Sequence, residues 1–504
     1  MHSLCLCLFL AGAGPDAPQK PTPKFQPNRD TTFVDGPLDK DGYIDYEAAL
    51  NARLKAKTTP ETNALVLLLK CIGPKPEGAE LKPDFYKALG IDAPPADGQY
   101  LAKYHLHFAL ELGTPNSQGF LDHEVKLKRG PWNKDDSPKH AEWLKVNEKP
   151  LALAIEGTRR PDYYHPMISR KPNGERGMLI GALVPVVQQY RVIASLLALR
   201  VNWNLGAGKF DDACADALAI HRVGRLAAHG GSVIELLVGI AIDAVAHGAD
   251  AVIFEHGRLT AKQALAYQAE LLRLRPVAGP IDTFALYERF LFLDAIQHSI
   301  KDGTAVPAGG VIEGVTADEI LRAIDWETVM RMGNDFYDRI EKAQKIESRL
   351  ERLGLSKELD ADLDKLRAKA KNPKIDPNDP PAKIRAEVSE IIGTMYLNLL
   401  MPAHRKIADA ADRAELINRN GIVAAGLAAH FADQKKYPEA LADLVPKYLA
   451  RVPLDVFGGG PVIYKKTDTG YLLYSVGANG VDDGGQLLTD EPRGDDIGIR
   501  LPRK

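Results

Sequence analysis

Two groups of residues in this chain have the types and spacing to do chemistry, and both groups concern cations. Asp243 and His247 stand four residues apart, one helical turn, with Asp250 and Glu235 on the same broad face. Asp294 and His298 repeat the Asp-x-x-x-His spacing farther along. Carboxylates and imidazoles bind zinc, iron and manganese, so two such helices facing each other in a bundle would supply four ligands. The same spacing also makes an ordinary surface pair on a helix that needs a polar face. The second group is a glycine-rich loop near the C-terminus carrying Asp482, Asp483, Asp490, Asp495 and Asp496. Calcium takes six to eight oxygens, which carboxylates and the backbone carbonyls of such a loop can offer together.

Other stretches point less sharply. Glu156 to His165 (EGTRRPDYYH) mixes acids, two arginines and two tyrosines, suited to an anionic or sugar-like ligand or to a wet interdomain surface. Asp39, Asp41 and Asp45 mimic the middle of an EF-hand, but Pro37 and Ala48 occupy the first and twelfth positions, so helix capping explains them better. No nucleophile elbow, Walker loop, dinucleotide fingerprint or HExxH occurs. The four cysteines show no zinc spacing and are too few for a disulfide framework over 504 residues. A net charge of −3 gives no electrostatic footprint for nucleic acid.

These groups must be positioned by two different kinds of element. From Tyr46 onward apolar residues recur at helical spacing, and the main helical mass runs from Met178 to Phe292 with breaks at 206–208, 230–231 and 276–280. Leu151 to Ile155 reads as a short buried strand, and 331–381 as a charged, solvated helical hairpin inserted in the body. Residues 14–45 read as a disordered linker. After Pro453 the pattern changes: Val462-Ile463-Tyr464 and Tyr471 to Tyr474 are β-rich runs joined by a hairpin turn at 467–470.

The ordered set Tyr437-Pro438-Glu439, Leu444-Val445-Pro446, Tyr448-Leu449, Pro453 to Phe457 and Tyr471 to Gly485 (YLLYSVGANGVDDGG) resembles the globular half of the type II secretion major pseudopilin. The resemblance covers about 416–504. It implies a helix followed by a small antiparallel sheet, and a calcium loop formed by Asn479, Asp482, Asp483, Asp495 and Asp496. Asn479 stands where that family has Asp, and Gly494 where it has the first acid of a closing Asp-x-Asp. The family's filament-building hydrophobic helix does not precede the matching region, so a shared fold is implied and filament assembly is not. The chain as a whole also looks like large bacterial envelope proteins in which a helical body precedes such an end.

Leu4 to Ala13 is an apolar run of signal-peptide length with small residues for cleavage, although no Lys or Arg precedes it. Val233 to Phe254, the longest later apolar stretch, is broken by Glu235, Asp243, His247 and Asp250, so no stable membrane span is expected after cleavage. The reading is therefore a signal peptide (1–13), a linker (14–45), a mainly α N-terminal and central body (46–415) and a small pseudopilin-like α+β domain with an antiparallel sheet (416–504). Such a protein is expected to be exported, to the periplasm, the envelope or outside the cell. Its function reads as a binding or scaffold body with a calcium-binding end, and envelope or secretion-system proteins as partners. The alternative is an all-helical metal-dependent hydrolase using Asp243, His247, Asp294 and His298.

Overall fold

The computed structural model describes residues 27–503, apart from 79, 104–117, 172, 183, 257, 305–316, 374, 377 and 489. The proposed signal run and the first part of the linker lie outside the described residues. Among the described residues the chain is mainly helical, with one small three-stranded antiparallel sheet near the C-terminus.

The helices that matter for function are α1 (Tyr46–Lys55), α2 (Ala64–Ile72), α3 (Glu148–Thr158), α4 (Val187–Gly206), α5 (Phe210–Ala228), α6 (Val233–His256) and α7 (Ala261–Arg273). They are followed by α8 (Arg289–Asp302), α9 (Trp326–Gln344), α10 (Arg349–Lys371), α11 (Pro381–Leu400) and α12 (His404–Gln434). The body has two apolar cores. One is built from α2 to α7, the other from α1, α8, α9, α10 and α11. Helix α6 is long and apolar enough to cross a membrane, yet two-thirds of its apolar window is buried here, packed against α4, α5 and α12.

Helices α5 and α6 approach backbone to backbone because each places a glycine at the crossing. A Cβ on Gly239 would lie 2.4 Å from the Ala228 nitrogen, and one on Gly224 would lie 2.9 Å from the Asp243 nitrogen. Only hydrogens fit there, and the closeness brings His221 of α5 against the acids of α6.

Three sequence expectations are corrected. Leu151 to Ile155 belongs to α3, where Leu151 and Ala154 face α2 and the rest is half-buried or exposed; a single apolar run cannot by itself separate a strand from a helix turn. Residues 27–45 are built into the body: Asn28 caps a one-turn helix, Leu38 bridges Ile44, and Val34, Tyr43 and Ile44 are buried in the second core. The segment 331–381 forms the expected charged helical hairpin, α9 and α10 with α10 mostly exposed, but α9 is packed into the body instead of standing in solvent. Helix α9 buries Val329, Met330, Phe336, Tyr337 and Ile340 against α8 and α11, and α10 adds Leu359 and Leu363. Their abundant charges lie on the outer faces, which hides how much of the inner faces is apolar.

At the C-terminal end, β1 (Ile463–Lys466), β2 (Tyr471–Ser475) and β3 (Ile497–Leu501) pair in sequence order, with Leu473 opposite both Tyr464 and Ile499. The sheet covers the second half of α12, and Ala264 of α7 belongs to the same core. This domain thus shares its main helix with the body. Helix α12 runs unbroken across position 416.

Candidate functional sites

The body's polar centre lies where α5, α6, α7 and α12 meet. His221, wholly buried, places Nδ1 2.7 Å from Asp243 Oδ1 and Nε2 2.9 Å from Asp250 Oδ2. Two carboxylate acceptors require a proton on both ring nitrogens, so His221 is an imidazolium. Burial alone would lower its pKa, but the Asp250 and Asp243 charges overcome that and raise it to about 9. The acids respond in the opposite sense. Burial pushes both upward, and the His221 charge outweighs it, holding Asp243 and Asp250 below the usual carboxylate range.

The remaining oxygens are also engaged. Asp243 Oδ2 lies 3.0 Å from the Arg225 guanidinium, which also donates to Asn418 Oδ1 on α12 at 2.9 Å. Asp250 Oδ1 accepts the Tyr267 hydroxyl of α7. Two carboxylates thus face one imidazolium and one guanidinium, and the buried charge balances.

His247 stands apart from that closure. It is 8% exposed, its ring lies 4.6 Å from His221 in an edge-on arrangement, and neither nitrogen makes a well-aligned hydrogen bond, although both face the acids. Its nitrogens sit 3.3 Å from Asp250 and 3.7 Å from Asp243. Helix α12 makes room for it with Gly421, whose Cβ would lie 3.1 Å from Nδ1. Asp243 and His247 line a cleft of about 470 Å³ between α6 and α12, with Leu237 and Ile240 on one wall and Lys406 and Arg413 on the other.

Asp294 and His298 do not join this group. Asp294 is bound by Arg176 at 2.8 Å and by the Leu179 amide at 2.6 Å, and His298 Nδ1 bonds the Asp294 carbonyl. That carboxylate ties the strap at 176–181 to α8. A six-residue π-helical stretch, Thr283–Glu288, leads α8 into the second core, so the two Asp/His pairs face different neighbours. Within metal-binding reach, the described residues instead bring His221 to Asp243 and His247. Spacing along one helix does not point to His221, because its carboxylate partners lie on the next helix. Its signal was a histidine inside the apolar run Leu218 to Leu226, three residues before the Gly224 that admits α6.

In the C-terminal loop, Asp483, Asp495 and Asp496 bring one carboxylate oxygen each within 4.8 Å of one another. Asn479 sits beside them: its backbone amide donates to Asp495 Oδ2 at 3.1 Å, and its Oδ1 accepts from the Val481 amide at 2.6 Å. Asp482 is turned elsewhere, accepting from the Tyr474 hydroxyl at 2.9 Å and the Gly484 amide at 2.8 Å. Asp496 is buried; Oδ2 accepts from the Gly485 amide and the Asp483 amide also faces the carboxylate, while Oδ1 makes no well-aligned hydrogen bond. Burial, and then the charges of Asp483 and Asp482, push its pKa up. A carboxylate oxygen without a well-aligned donor, beside two further acids, fits a hard cation. Asp490 serves the fold, pairing with Arg500 of β3 at 2.6 Å.

No protein-family model matches the chain, nor does any curated protein or solved structure.

Proposed function

We propose that the chain is an exported envelope protein that acts by binding, with the helical body as a binding or scaffold module and a pseudopilin-like C-terminal domain that calcium stabilises. The observation that carries this reading is the closure of the His221 centre. Every carboxylate oxygen of Asp243 and Asp250 already faces a proton donor, and the two negative charges are matched inside the core. A metal-ligating histidine keeps one nitrogen bare and uses the other to donate to a second group, whereas His221 donates through both. Envelope or secretion-system proteins are the partners proposed for the body. Export rests on the apolar run Leu4 to Ala13.

One observation favours a second reading, the metal-dependent hydrolase. His247 is buried, makes no well-aligned hydrogen bond at either nitrogen, and lies at the wall of a cleft. There Asp243 and His247 would hold the ion, the His221 proton would leave, and the metal would polarise a bound water or carbonyl.

Elemental analysis of the purified full-length chain, followed by zinc and manganese titration, separates the two. The binding reading expects no stoichiometric transition metal and no change on His247→Ala. One equivalent of tightly held zinc or manganese that disappears in His247→Ala would overturn it in favour of the hydrolase.

A further inference from the structure

Three helices of the body end at one shallow cleft of about 270 Å³. Helix α3 finishes at Thr158, α5 carries Arg225 in its last turn, and α7 finishes at Arg273. Six guanidinium groups line the cleft, from Arg159, Arg160, Arg222, Arg225, Arg273 and Arg275, against the single carboxylate of Glu270.

The counter-charge inside the protein does not cover them. Glu270 is shared by Arg222 at 3.2 Å and Arg273 at 2.5 Å, and Arg225 is committed to Asp243. Arg160 donates to the carbonyls of Pro60 and Asn63 at 2.7 and 2.9 Å, and Arg275 to that of Pro161. Carbonyls fix the direction of a guanidinium but leave its charge intact. Among the described residues, Arg159, Arg160 and Arg275 have no carboxylate within ion-pair distance. Arg222 registers the crowding: burial lowers its pKa, Glu270 opposes this, and the Arg159 charge lowers it further.

Helix ends account for part of the arrangement, since a helix C-terminus carries about −0.5 charge and favours nearby cations. Three such ends, with Glu270 and Asp243, still leave a surplus of roughly two positive charges over six guanidiniums. Guanidinium forks match the paired oxygens of an oxyanion, and the volume falls just below that of drug-sized ligand sites, which suits a small ion.

We propose that this cleft binds a small doubly charged oxyanion of the phosphate class, either inorganic phosphate or a phosphate monoester. Arg159 and Arg273 close over it from the exposed side, while Arg160 and Arg275, held by backbone carbonyls, form the fixed part of the cradle. The assignment deepens the reading of the body as a binding module and rests on it. Metal content decides that reading separately, so a failed phosphate titration and a failed binding reading give different results.

The test is calorimetric titration of the full-length chain with inorganic phosphate and with glycerol phosphate, each against sodium chloride at matched ionic strength. Saturable one-to-one binding is expected, at least tenfold weaker in Arg159→Gln and absent in Arg159→Gln/Arg273→Gln. Both side chains are exposed, so the double variant should keep its melting temperature in chloride. Glycerol phosphate binding more than tenfold tighter than phosphate would mean that the organic group is also held; equal affinities would mean that the dianion alone is recognised. No saturable heat with either ligand, or an unchanged dissociation constant in the correctly folded double variant, would overturn the proposal.

Discussion

The His221 centre and the C-terminal acidic loop are both built around clustered aspartates and treat negative charge in opposite ways. In the body, Asp243 and Asp250 are buried, and each meets an imidazolium within 2.9 Å, with Arg225 and Tyr267 taking the remaining oxygens. In the loop, Asp483 and Asp495 stay at the surface, and of the three clustered acids Asp496 is the buried one, with one oxygen lacking a well-aligned donor. A buried carboxylate must be neutralised when the chain folds, so its partners are built in. A surface carboxylate can remain charged in water and leave neutralisation to an ion. The first arrangement stores stability in protons; the second leaves its negative charge to solvent or to an ion.

The sharpest way to break that contrast is to remove the proton carrier. His221→Ala leaves two buried carboxylates with one guanidinium between them, and should cost about 3–5 kcal/mol by urea unfolding at pH 6. The pH dependence has a definite sign. The folded His221 pKa, about 9, lies above its unfolded value, so its contribution is whole below about pH 6.5 and is lost as pH rises through about 9. The depressed Asp243 and Asp250 contribute in the opposite direction, above about pH 4, and lose their contribution as pH falls below that. The wild-type curve should therefore fall between pH 6.5 and 9 by a component that His221→Ala lacks. Parallel curves for the two proteins would mean that His221 is not charged in the fold.

Calcium tests the other half. Saturating calcium, at about a hundredfold excess over its dissociation constant, should add roughly 3 kcal/mol to the unit that binds it. The full-length chain is the right sample, because α12 and Ala264 complete the C-terminal core. Asp496→Ala should abolish the gain, and Asp41→Ala in the N-terminal turn should keep it. Identical melting curves with calcium and with chelator would show a loop that holds its shape without an ion.

How much of this was legible in the sequence follows from the range of each interaction. The strands near 462–464 and 471–474 were readable because a hairpin is local, and its turn residues and β-rich runs sit side by side. The Asp39, Asp41 and Asp45 turn was readable for the same reason: Asp45 caps α1 by accepting from Ala48, and Asp39 accepts from the Asp41 and Tyr43 amides. The His221 centre was half legible. Asp243, His247 and Asp250 share a helix face, but their neutralising partners arrive from α5 and α7, at sequence distances no periodicity encodes. Asp294 shows the converse, since its spacing to His298 matches a ligand pair and its contacts belong to Arg176 and Leu179. The arginine cleft was seen only as Arg159-Arg160, because its other four guanidiniums come from α5 and from the end of α7 and the residues after it.

A smaller effect extends the comparison to a buried acid that lacks a cation. Glu235 is wholly buried, with Ser232 and Tyr163 as donors, and His165 lies 3.6 Å away. Burial raises its pKa to about 7 against the pull of those hydrogen bonds, and lowers that of His165 to about 3, so His165 is neutral. A raised carboxyl stabilises the fold below its unfolded pKa near 4.5 and loses that contribution as pH rises through 7. Glu235→Gln should therefore be neutral at pH 4 and stabilising by about 1–2 kcal/mol at pH 8. Destabilisation at pH 8 would mean that the carboxylate is ionised and paired, like Asp243.

The smallest effect bears on whether His247 is held. Gly421 sits inside α12, where alanine is favoured over glycine by about 1 kcal/mol. Its added Cβ would meet the His247 ring at 3.1 Å from Nδ1 and 3.2 Å from Cε1, tighter than ordinary packing. The sign of Gly421→Ala therefore depends on whether the ring can retreat by a few tenths of an ångström. In the proton-closed centre, neither ring nitrogen makes a well-aligned hydrogen bond, and the cleft beside it offers space. The ring can yield, and the helix gain should survive in part, as a stabilisation of less than about 1 kcal/mol. A metal ion on His247 would pin the ring, and the same methyl would then destabilise the protein and weaken zinc binding together. Thermal unfolding of Gly421→Ala with chelator and with zinc reads both outcomes from one variant. A gain that is indifferent to zinc supports the closed centre, and a loss that deepens with zinc supports the metal.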